Sequence, residues 1–315
     1  MSPYAAPRWL PGGHLQTLVA SLVPPPRVPL ERVRWDTPDG DFIDVDFAGD
    51  PGAARLMVLF HGLEGSSDSH YSRSLAGAAA AAGWRFALPH FRGCSGKPNR
   101  KPRAYHSGDS EEINWLLRNF FSLNENLFAA GVSLGGNALL KWLGEQGEEA
   151  KKIVRRAAAV SAPVDLAAAG LALDRGLNRL LYTRHFLSTL KPKSLAKLEV
   201  FPGIYDGASL RAARGFREFD GIVTAPLHGF RDTDDYWSRA SSAPWLERIR
   251  VPTLMINARN DPFLPERELL AATRRAPPNV MLEFPRTGGH AGFVAGRFPG
   301  RQTWLAQRLL EFFSA

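Results

Sequence analysis

The sequence predicts an α/β protein with a mostly parallel, doubly wound sheet that carries an inserted helical cap. Short runs that are apolar at every position alternate with stretches whose apolar residues recur at helical spacing. Fully apolar runs suit strands covered on both faces, and repeated strand-then-helix order favours a parallel sheet. At 315 residues and 44% hydrophobic, the chain can bury a sizeable core, so we expect one domain over 1–315.

Six apolar runs predict the buried strands, and five stretches predict the helices between them. The strand runs are 56–60, 84–89, 127–132, 157–161, 253–258 and 280–284. The helical stretches are an alanine-rich segment that ends near residue 82, then 111–120, 137–144, 266–275 and 301–313. In a sheet of this kind, functional sites lie at the carboxyl ends of the strands.

An N-terminal arm and a β-hairpin are expected over 1–50, before the first buried strand. Residues 32–47 alternate polar and apolar around a turn at 38–41. Four aspartates, at positions 39, 41, 44 and 46, lack the twelve-residue calcium-loop pattern with its final Glu. We therefore expect several of them on an exposed strand face and no metal site.

The interval of about 165–245 breaks the alternation of strands and helices. It contains helical patches, proline turns and many aromatic and basic residues, but no clear buried strand. We interpret it as a cap inserted between two strands of the sheet.

Composition indicates the cellular compartment and whether the chain crosses a membrane. The single cysteine, Cys94, excludes an intramolecular disulfide framework and favours a reducing compartment, so we expect the cytoplasm. The first residues lack a basic region followed by an apolar core, and no run approaches the roughly 18 apolar residues of a membrane span. We expect no transmembrane segment.

The net charge of +8 leaves peripheral contact with anionic surfaces open. The densest basic cluster comprises Lys151, Lys152, Arg155 and Arg156, and we expect it to be a solvated surface. No nucleic-acid motif accompanies it, so no nucleic-acid partner is expected. The sequence does not indicate an oligomeric state.

The segment Gly131-Val132-Ser133-Leu134-Gly135-Gly136 fits the strained strand-to-helix turn that exposes a nucleophilic serine. A predicted strand precedes it and a predicted helix follows it. Glycine on both sides of Ser133 permits the tight backbone and the close approach of strand to helix. Ser133 is therefore the candidate nucleophile.

A serine nucleophile needs a histidine base and a carboxylate that orients the histidine, in the chain order Ser, acid, His for this kind of turn. Three histidines follow Ser133. His185 and His228 fall in the predicted cap, whereas His290 follows the last strand in a glycine-rich loop. Asp261, just after the 253–258 strand, is the preferred acid, and Asp165 is the alternative.

Two backbone N–H groups are expected to form an oxyanion hole for the carbonyl oxygen under attack. One belongs to Leu134, directly after the nucleophile, and the other to Leu63, in the loop after the 56–60 strand. The alternative interpretation of His61-Gly62 is a tight turn with a buried histidine, which is compatible with that role.

Five spaced motifs together resemble the bacterial YheT-type esterases, the hydrolase-4 family of the α/β-hydrolase superfamily. The motifs lie at 14–17, 61–66, 91–96, 131–136 and 257–263, so the resemblance covers nearly the whole chain. It implies an α/β-hydrolase fold and a serine carboxylic-ester hydrolase with Ser133, Asp261 and His290 as its triad. His14 and Gln16 of the first motif are expected to fix the N-terminal arm to the core.

The predicted function is ester hydrolysis through an acyl-enzyme, on short- to medium-chain or lipid-like esters. Acyl transfer with the same triad stays open, as does a non-catalytic lipid or small-molecule binding module. The chain has no H-E-x-x-H, no phosphate-binding G-x-x-x-x-G-K-[ST] and no strand-linked G-x-G-x-x-G, so we expect no metal and no organic cofactor.

Overall fold

A computed structural model of the chain describes residues 4–315, so the first three residues of the predicted N-terminal arm lie outside the described residues. Eight strands form one sheet. They are β1 (Glu31–Asp36), β2 (Phe42–Ala48), β3 (Leu56–Phe60), β4 (Arg85–Pro89), β5 (Leu127–Val132), β6 (Arg156–Val160), β7 (Thr253–Ile256) and β8 (Val280–Glu283). Their order across the sheet is β1-β2-β4-β3-β5-β6-β7-β8.

The sheet is antiparallel at one edge and parallel elsewhere. The predicted hairpin forms between β1 and β2, with Glu31 opposite Phe47, and β2 runs antiparallel to β4. From β4 onward every neighbouring pair of strands is parallel. The predicted mostly parallel sheet is therefore confirmed, and the carboxyl ends of β3, β5, β6, β7 and β8 meet at one edge.

Helices cover both faces of the sheet and create two cores. They are α1 (Gly13–Leu22), α2 (His70–Ala81), α3 (Ser110–Leu123), α4 (Leu134–Gln146), and, near the C-terminus, α12 (Glu266–Ala272) and α13 (Trp304–Ser314). The fully buried strand β3 shows the two-sided packing: Leu56, Val58 and Phe60 join the core with α3 and α4, while Met57 and Leu59 join the core with α2 and α13.

Only helices and irregular turns lie between β6 and β7 in the described chain. The α-helices are α5 (Leu166–Leu173), α6 (Gly176–Asn178), α7 (Arg184–Val200), α8 (Gly207–Ala212), α9 (Phe216–Phe219), α10 (Ala225–Leu227) and α11 (Thr233–Ala240). π-helical turns join α6 to α7 (Arg179–Thr183) and α9 to α10 (Asp220–Thr224). These elements share a core of their own, centred on Leu187, Leu210 and Trp237. They lie within the interval of about 165–245 that the sequence analysis interprets as a cap, and their role as a cap stays a prediction.

Three 3₁₀ helices complete the element list, at Gly147–Lys152, Ala243–Arg248 and Thr273–Arg275. The basic cluster predicted to be solvated begins in the first of them. There Lys151 pairs with Glu148 and Lys152 with Glu149 on the surface. None of the helices within residues 4–315 is long and apolar enough to cross a lipid bilayer.

The expectation of an exposed acidic face on β2 is wrong, because Asp41, Asp44 and Asp46 are buried. Arg34 Nε donates to Asp44 Oδ1 and Arg32 Nε to Asp46 Oδ1, each at 2.7 Å. Both arginines come from the neighbouring strand β1. Burial opposes ionisation of Asp46, yet the hydrogen bonds it accepts outweigh that penalty and lower its pKa.

Candidate active site

Ser133 lies at the turn between β5 and α4 in a left-handed backbone conformation, with φ 52° and ψ −120°. Its N–H donates to Val160 O of β6 at 2.8 Å, which fixes the turn against the neighbouring strand. Helix α4 begins at the next residue, Leu134, three residues earlier than the apolar spacing predicts. Ser133 therefore stands at the carboxyl edge of the sheet and directly before a helix.

The glycines around Ser133 are required by space. A Cβ on Gly131 would lie 2.5 Å from Gly135 O, and a Cβ on Gly135 would lie 2.4 Å from Phe60 O. A Cβ atom does not approach a carbonyl oxygen this closely in folded proteins, so any side chain at these positions would push α4 away from the strands. The close crossing that the motif predicts is therefore present, and it depends on glycine at both positions.

His290 and Asp261 meet Ser133 at the same edge. Ser133 Oγ lies 2.9 Å from His290 Nε2, and His290 Nδ1 lies 2.9 Å from Asp261 Oδ2. The Asp261 side chain is fully buried. Because a carboxylate only accepts hydrogen bonds, Nδ1 carries the imidazole proton and Nε2 is left to accept from the Ser133 hydroxyl.

Helix α1 holds the two loops that carry Asp261 and His290. Gln16 Oε1 accepts from Asn260 Nδ2 at 2.9 Å and from Gly288 N at 2.8 Å. Thr17 Oγ1 accepts from His290 N at 2.9 Å. The N-terminal arm is thus fixed to the core through Gln16 as expected, and it also sets the position of the histidine.

The other candidate histidines and acid do not approach Ser133. Asp165 caps α5 by accepting from Ala168 N at 3.0 Å. His185 is exposed on α7. His228 packs against the ring of His106, with ring centroids 4.4 Å apart. Of the alternatives raised by the sequence, the structure brings only His290 and Asp261 to the serine.

The N–H groups of Leu63 and Leu134 donate no hydrogen bond to any residue in the range 4–315. The loop that carries Leu63 is pressed against the serine, since a Cβ on Gly62 would lie 3.2 Å from Ser133 Cβ. His61 beneath it is fully buried, and burial lowers its pKa to about 3, so the ring is neutral. Two free donors therefore flank the Ser133 turn.

Glu64, the residue after Leu63, is held by three contacts. Its φ is 55°, which is unusual for a residue with a side chain. Its N–H donates to Tyr105 Oη, and Tyr105 Oη donates to Glu64 Oε1, both at 2.9 Å. Lys193 of α7 reaches Glu64 Oε2 at 2.9 Å. The loop is thereby fixed to α7 through Lys193 and to the segment between β4 and α3 through Tyr105, which no sequence motif includes.

A cavity of about 1270 Å³, including its open mouth, lies between the sheet edge and the helices that follow β6. Ser133 and His290 line its floor. Its apolar wall includes Leu166, Ala169, Leu173, Phe186, Phe216 and Trp237. Its polar groups include Arg92, His106, Lys193, Lys197, Asp220 and His228. The shape and lining suit a ligand with a substantial apolar portion.

Cys94 does not offer a competing nucleophile, because burial raises its pKa to about 12 and keeps the thiol protonated. Within residues 4–315 no group of three or more His, Cys, Asp or Glu side chains is placed to hold a metal ion.

Comparison with known proteins identifies the family. A family model described as the alpha/beta hydrolase fold matches residues 55–296. The chain belongs to the α/β-hydrolase family. This α/β hydrolase is 38% identical to "Putative esterase YheT" of Escherichia coli over 96% of its own length and 90% of that protein. The predicted fold and the YheT-type resemblance are confirmed.

More distant relatives of this α/β hydrolase are also named as ester-cleaving enzymes. Human "Phospholipase ABHD3" is 28% identical over 98% of this chain and 77% of its own. "Monoacylglycerol lipase" of Saccharomyces cerevisiae is 27% identical over 89% of this chain and 62% of its own. This α/β hydrolase is thus of the esterase and lipase type, and the predicted class of carboxylic ester hydrolase is confirmed.

Solved structures share the fold at low sequence identity. The esterase Pf2001 of Pyrococcus furiosus superposes with a TM-score of 0.58 at 17% identity, covering 93% of this chain and 98% of its own. The esterase EaEST of Exiguobacterium antarcticum superposes with a TM-score of 0.59 at 17% identity, and the match covers 90% of this chain and 100% of that esterase. Both support the α/β-hydrolase fold alone.

Asp220 is a buried carboxyl in the cavity wall of this α/β hydrolase. Its Oδ1 accepts from Thr224 Oγ1 at 2.7 Å and its Oδ2 from Trp237 Nε1 at 2.8 Å. Within the described chain no cation pairs with it. Burial therefore dominates and raises its pKa to about 6 from the ordinary 3.8.

The raised pKa of Asp220 predicts that the free energy of unfolding depends on pH. Between pH 3.8 and 6 the folded protein binds more protons at Asp220 than the unfolded chain, so stability falls as pH rises through that window. The Asp220→Asn variant stays neutral. Relative to wild type it is expected to gain about 2 kcal/mol between roughly pH 4.5 and 7.5, in urea unfolding followed by circular dichroism.

Asp68→Asn is the matched control, because the Asp68 side chain is 78% exposed. An equal pH-dependent gain in both variants, or none in Asp220→Asn, would contradict the assignment of a buried, unpaired carboxyl.

Proposed function

We propose that this enzyme hydrolyses carboxylic esters through an acyl-enzyme on Ser133, with His290 as general base and Asp261 as its orienting partner. The observation that carries the proposal is the unbroken chain of contacts from Ser133 Oγ through both nitrogens of His290 to the buried Asp261 carboxylate. A serine hydroxyl is a weak nucleophile unless an imidazole takes its proton, and this geometry supplies that transfer.

In the first half of the reaction, Ser133 Oγ attacks the ester carbonyl carbon while its proton moves to His290 Nε2. Asp261 stabilises the imidazolium that forms, because it accepts the hydrogen bond from Nδ1. The tetrahedral intermediate then collapses. Its C–O bond to the alcohol breaks, the alcohol leaves with the proton from Nε2, and the acyl group remains on Ser133.

In the second half, a water molecule gives a proton to His290 Nε2 as its oxygen attacks the acyl carbon. Collapse of the second tetrahedral intermediate releases the carboxylic acid and returns the proton to Ser133 Oγ. The same imidazole thus serves as base and then as acid in each half.

Leu63 and Leu134 are proposed to bind the carbonyl oxygen as negative charge develops on it. Both N–H groups lack an acceptor in the described structure and both flank the Ser133 turn. Donors that are already in place cost no reorganisation when the charge appears, and loss of one such donor typically lowers the rate by about 100- to 1000-fold. The contacts that Glu64 makes with Tyr105 and Lys193 would keep the Leu63 donor in place.

The proposed substrate is an ester with a medium-length or lipid-like acyl chain. The apolar wall formed by α5, α7, α9 and α11 provides a place for that chain beside Ser133. Relatives named as a phospholipase and a monoacylglycerol lipase are consistent with such a substrate. A cytoplasmic location, predicted from the single cysteine, stays a prediction.

Steady-state kinetics on p-nitrophenyl esters test the proposed mechanism. Ser133→Ala and His290→Ala are each expected to lower kcat by a factor on the order of 10⁴ or more, because the nucleophile or its base is lost. Asp261→Asn is expected to lower kcat by about 10⁴-fold, because the imidazole is left in the wrong tautomer.

Ser107→Ala and Asp165→Asn are the matched controls, since Ser107 lines the same cavity and Asp165 is the alternative acid. Both should keep kcat within about tenfold of wild type. A larger loss in Asp165→Asn than in Asp261→Asn, or full turnover by Ser133→Ala, would overturn the proposed triad.

The acyl pocket predicts a change in chain-length preference. Ala169→Phe places a ring in the apolar wall, so kcat/KM for a decanoate ester should fall at least tenfold relative to a butyrate ester. Leu171→Phe, at an exposed position of the same helix outside the cavity, should leave the ratio unchanged. An equal change in both variants would show that the acyl chain binds elsewhere.

A further inference from the structure

Helix α7 has two functional faces. One face lines the substrate cavity, through Phe186, Leu190, Lys193, Ser194 and Lys197. The other face borders a shallow surface groove, through Arg184, Leu187, Ser188, Lys191, Pro192 and Leu195. A single helix, about 10 Å across, therefore separates the cavity from this outer groove.

The outer groove is strongly cationic. Five basic side chains line it, and none of its described lining residues is acidic: Arg179, Arg184, Lys191, Arg211 and Arg214. Lys191 Nζ donates to the backbone carbonyls of Arg211 and Ala213. None of these five cations forms an ion pair with another residue of the described chain. Two carboxylates lie near its far end, since Asp206 interacts electrostatically with Arg211 and the Arg214 N–H donates to Glu218 Oε2. Positive charge therefore dominates at Arg179, Arg184 and Lys191, and it attracts anionic partners.

Exposed leucines lie beside the cations. Leu177 is 60% exposed, Leu180 59% and Leu181 38%, in the turns that lead into α7. They lie within five consecutive residues of α6 and the π-helical turn, and we call these three exposed leucines the apolar stripe. Arg179 lies between Leu177 and Leu180 in the chain, and Arg184 follows Leu181 by three residues. We call Leu177, Leu180 and Leu181 together with the five groove cations the outer cap face.

Helix α1 contacts the π-helical turn and carries two further exposed leucines. His14 Nδ1 lies 3.1 Å from Tyr182 Oη, and the two rings stack, so α1 lies beside the start of α7. Leu15 and Leu18 of α1 are 48% and 36% exposed. Two more exposed leucines therefore lie on the helix that contacts Tyr182 of the π-helical turn.

We propose that the outer cap face docks on the surface of an anionic phospholipid bilayer. Leucines that insert at the boundary of the acyl chains and arginines that pair with lipid phosphates are the two components of an interfacial helix. Here both components occur on the same helical segment. Docking in this orientation brings the substrate cavity to within one helix of the lipid surface.

The mixed chemistry of the face favours a bilayer over other partners. A nucleic acid would use the cations but leave the exposed leucines in water, and single-strand binders place aromatic rings among their cations. A second copy of this chain, docked face to face, would bring the same five cations against themselves. An anionic bilayer complements both the charge and the apolar stripe.

Vesicle flotation tests the proposal, and it needs no turnover, so it is independent of the proposed function. The wild-type protein should float with vesicles of phosphatidylcholine mixed with phosphatidylglycerol, and not with phosphatidylcholine alone. High salt should weaken binding through screening. Arg179→Glu/Arg184→Glu should weaken it about tenfold or more, and Leu177→Ser/Leu180→Ser several-fold.

Arg274→Glu/Arg275→Glu is the matched control, because it reverses the same number of exposed charges in a 3₁₀ turn outside the outer cap face. It should bind vesicles within about twofold of wild type. All variants should keep the circular dichroism spectrum and the urea unfolding midpoint of wild type within error, which shows that they fold without any reference to turnover.

Three results would overturn the proposal. The first is wild-type protein that does not float with anionic vesicles, and the second is equal loss of binding in Arg179→Glu/Arg184→Glu and in the control. The third is evidence that the face binds another partner. The protein would then retain single-stranded DNA without binding vesicles, or light scattering would show a dimer that the Arg179→Glu/Arg184→Glu substitutions dissociate.

Discussion

Backbone crowding at the end of β5 is the constraint on which the rest of the site depends. Strand and helix cross so closely that Gly131 and Gly135 have no room for a Cβ, and Ser133 between them adopts a positive φ. The crossing projects the Ser133 hydroxyl beyond the sheet edge. It also starts α4 at Leu134, whose N–H therefore has no acceptor within the helix. The proposed nucleophile and one proposed oxyanion donor are thus both positioned by one local distortion of the backbone.

The remaining site residues are placed by contacts between distant parts of the chain. Gln16 and Thr17 of α1 hold the loops that carry Asp261 and His290, which are more than 240 residues away in sequence. From the other side, Lys193 of α7 fixes the loop of Leu63 through Glu64. The Tyr182 ring packs against the Phe263 ring, with centroids 4.6 Å apart, and the Phe263 ring stacks on His290 with centroids 4.0 Å apart. The N-terminal helix and the helices after β6 therefore hold the geometry together.

The sequence predicts those parts of the structure that are determined by residues close together in the chain. Fully apolar runs predict β3 to β7 within a few residues, because strands buried on both faces leave no polar alternation. The run at 280–284 also predicts a strand, but the expectation of burial is wrong there, since Met281 and Leu282 of the edge strand β8 are exposed. The serine turn and the strand-end positions of Asp261 and His290 follow from glycine spacing and chain order. The burial of Asp44 and Asp46 does not, because it depends on Arg32 and Arg34 across the hairpin.

Other features depend on tertiary contacts that no local pattern encodes. The roles of Thr17, Asn260 and Tyr105 arise only when loops far apart in the chain meet. The cap region is hard to predict for the same reason. Its short helices and π-helical turns are set by packing around Leu187, Leu210 and Trp237 rather than by periodicity. The sequence therefore predicts the residues around Ser133 better than it predicts the helices between β6 and β7, which form the apolar wall of the cavity.

The most direct test of the central claim is to label the native enzyme with a fluorophosphonate probe and to map the adduct by mass spectrometry. Such probes react with a serine only where a neighbouring imidazole takes its proton and donors hold the developing oxyanion. The geometry predicts one adduct, on Ser133, that disappears in both Ser133→Ala and His290→Ala. An adduct on another residue, or labelling that persists in His290→Ala at the wild-type rate, would contradict the account.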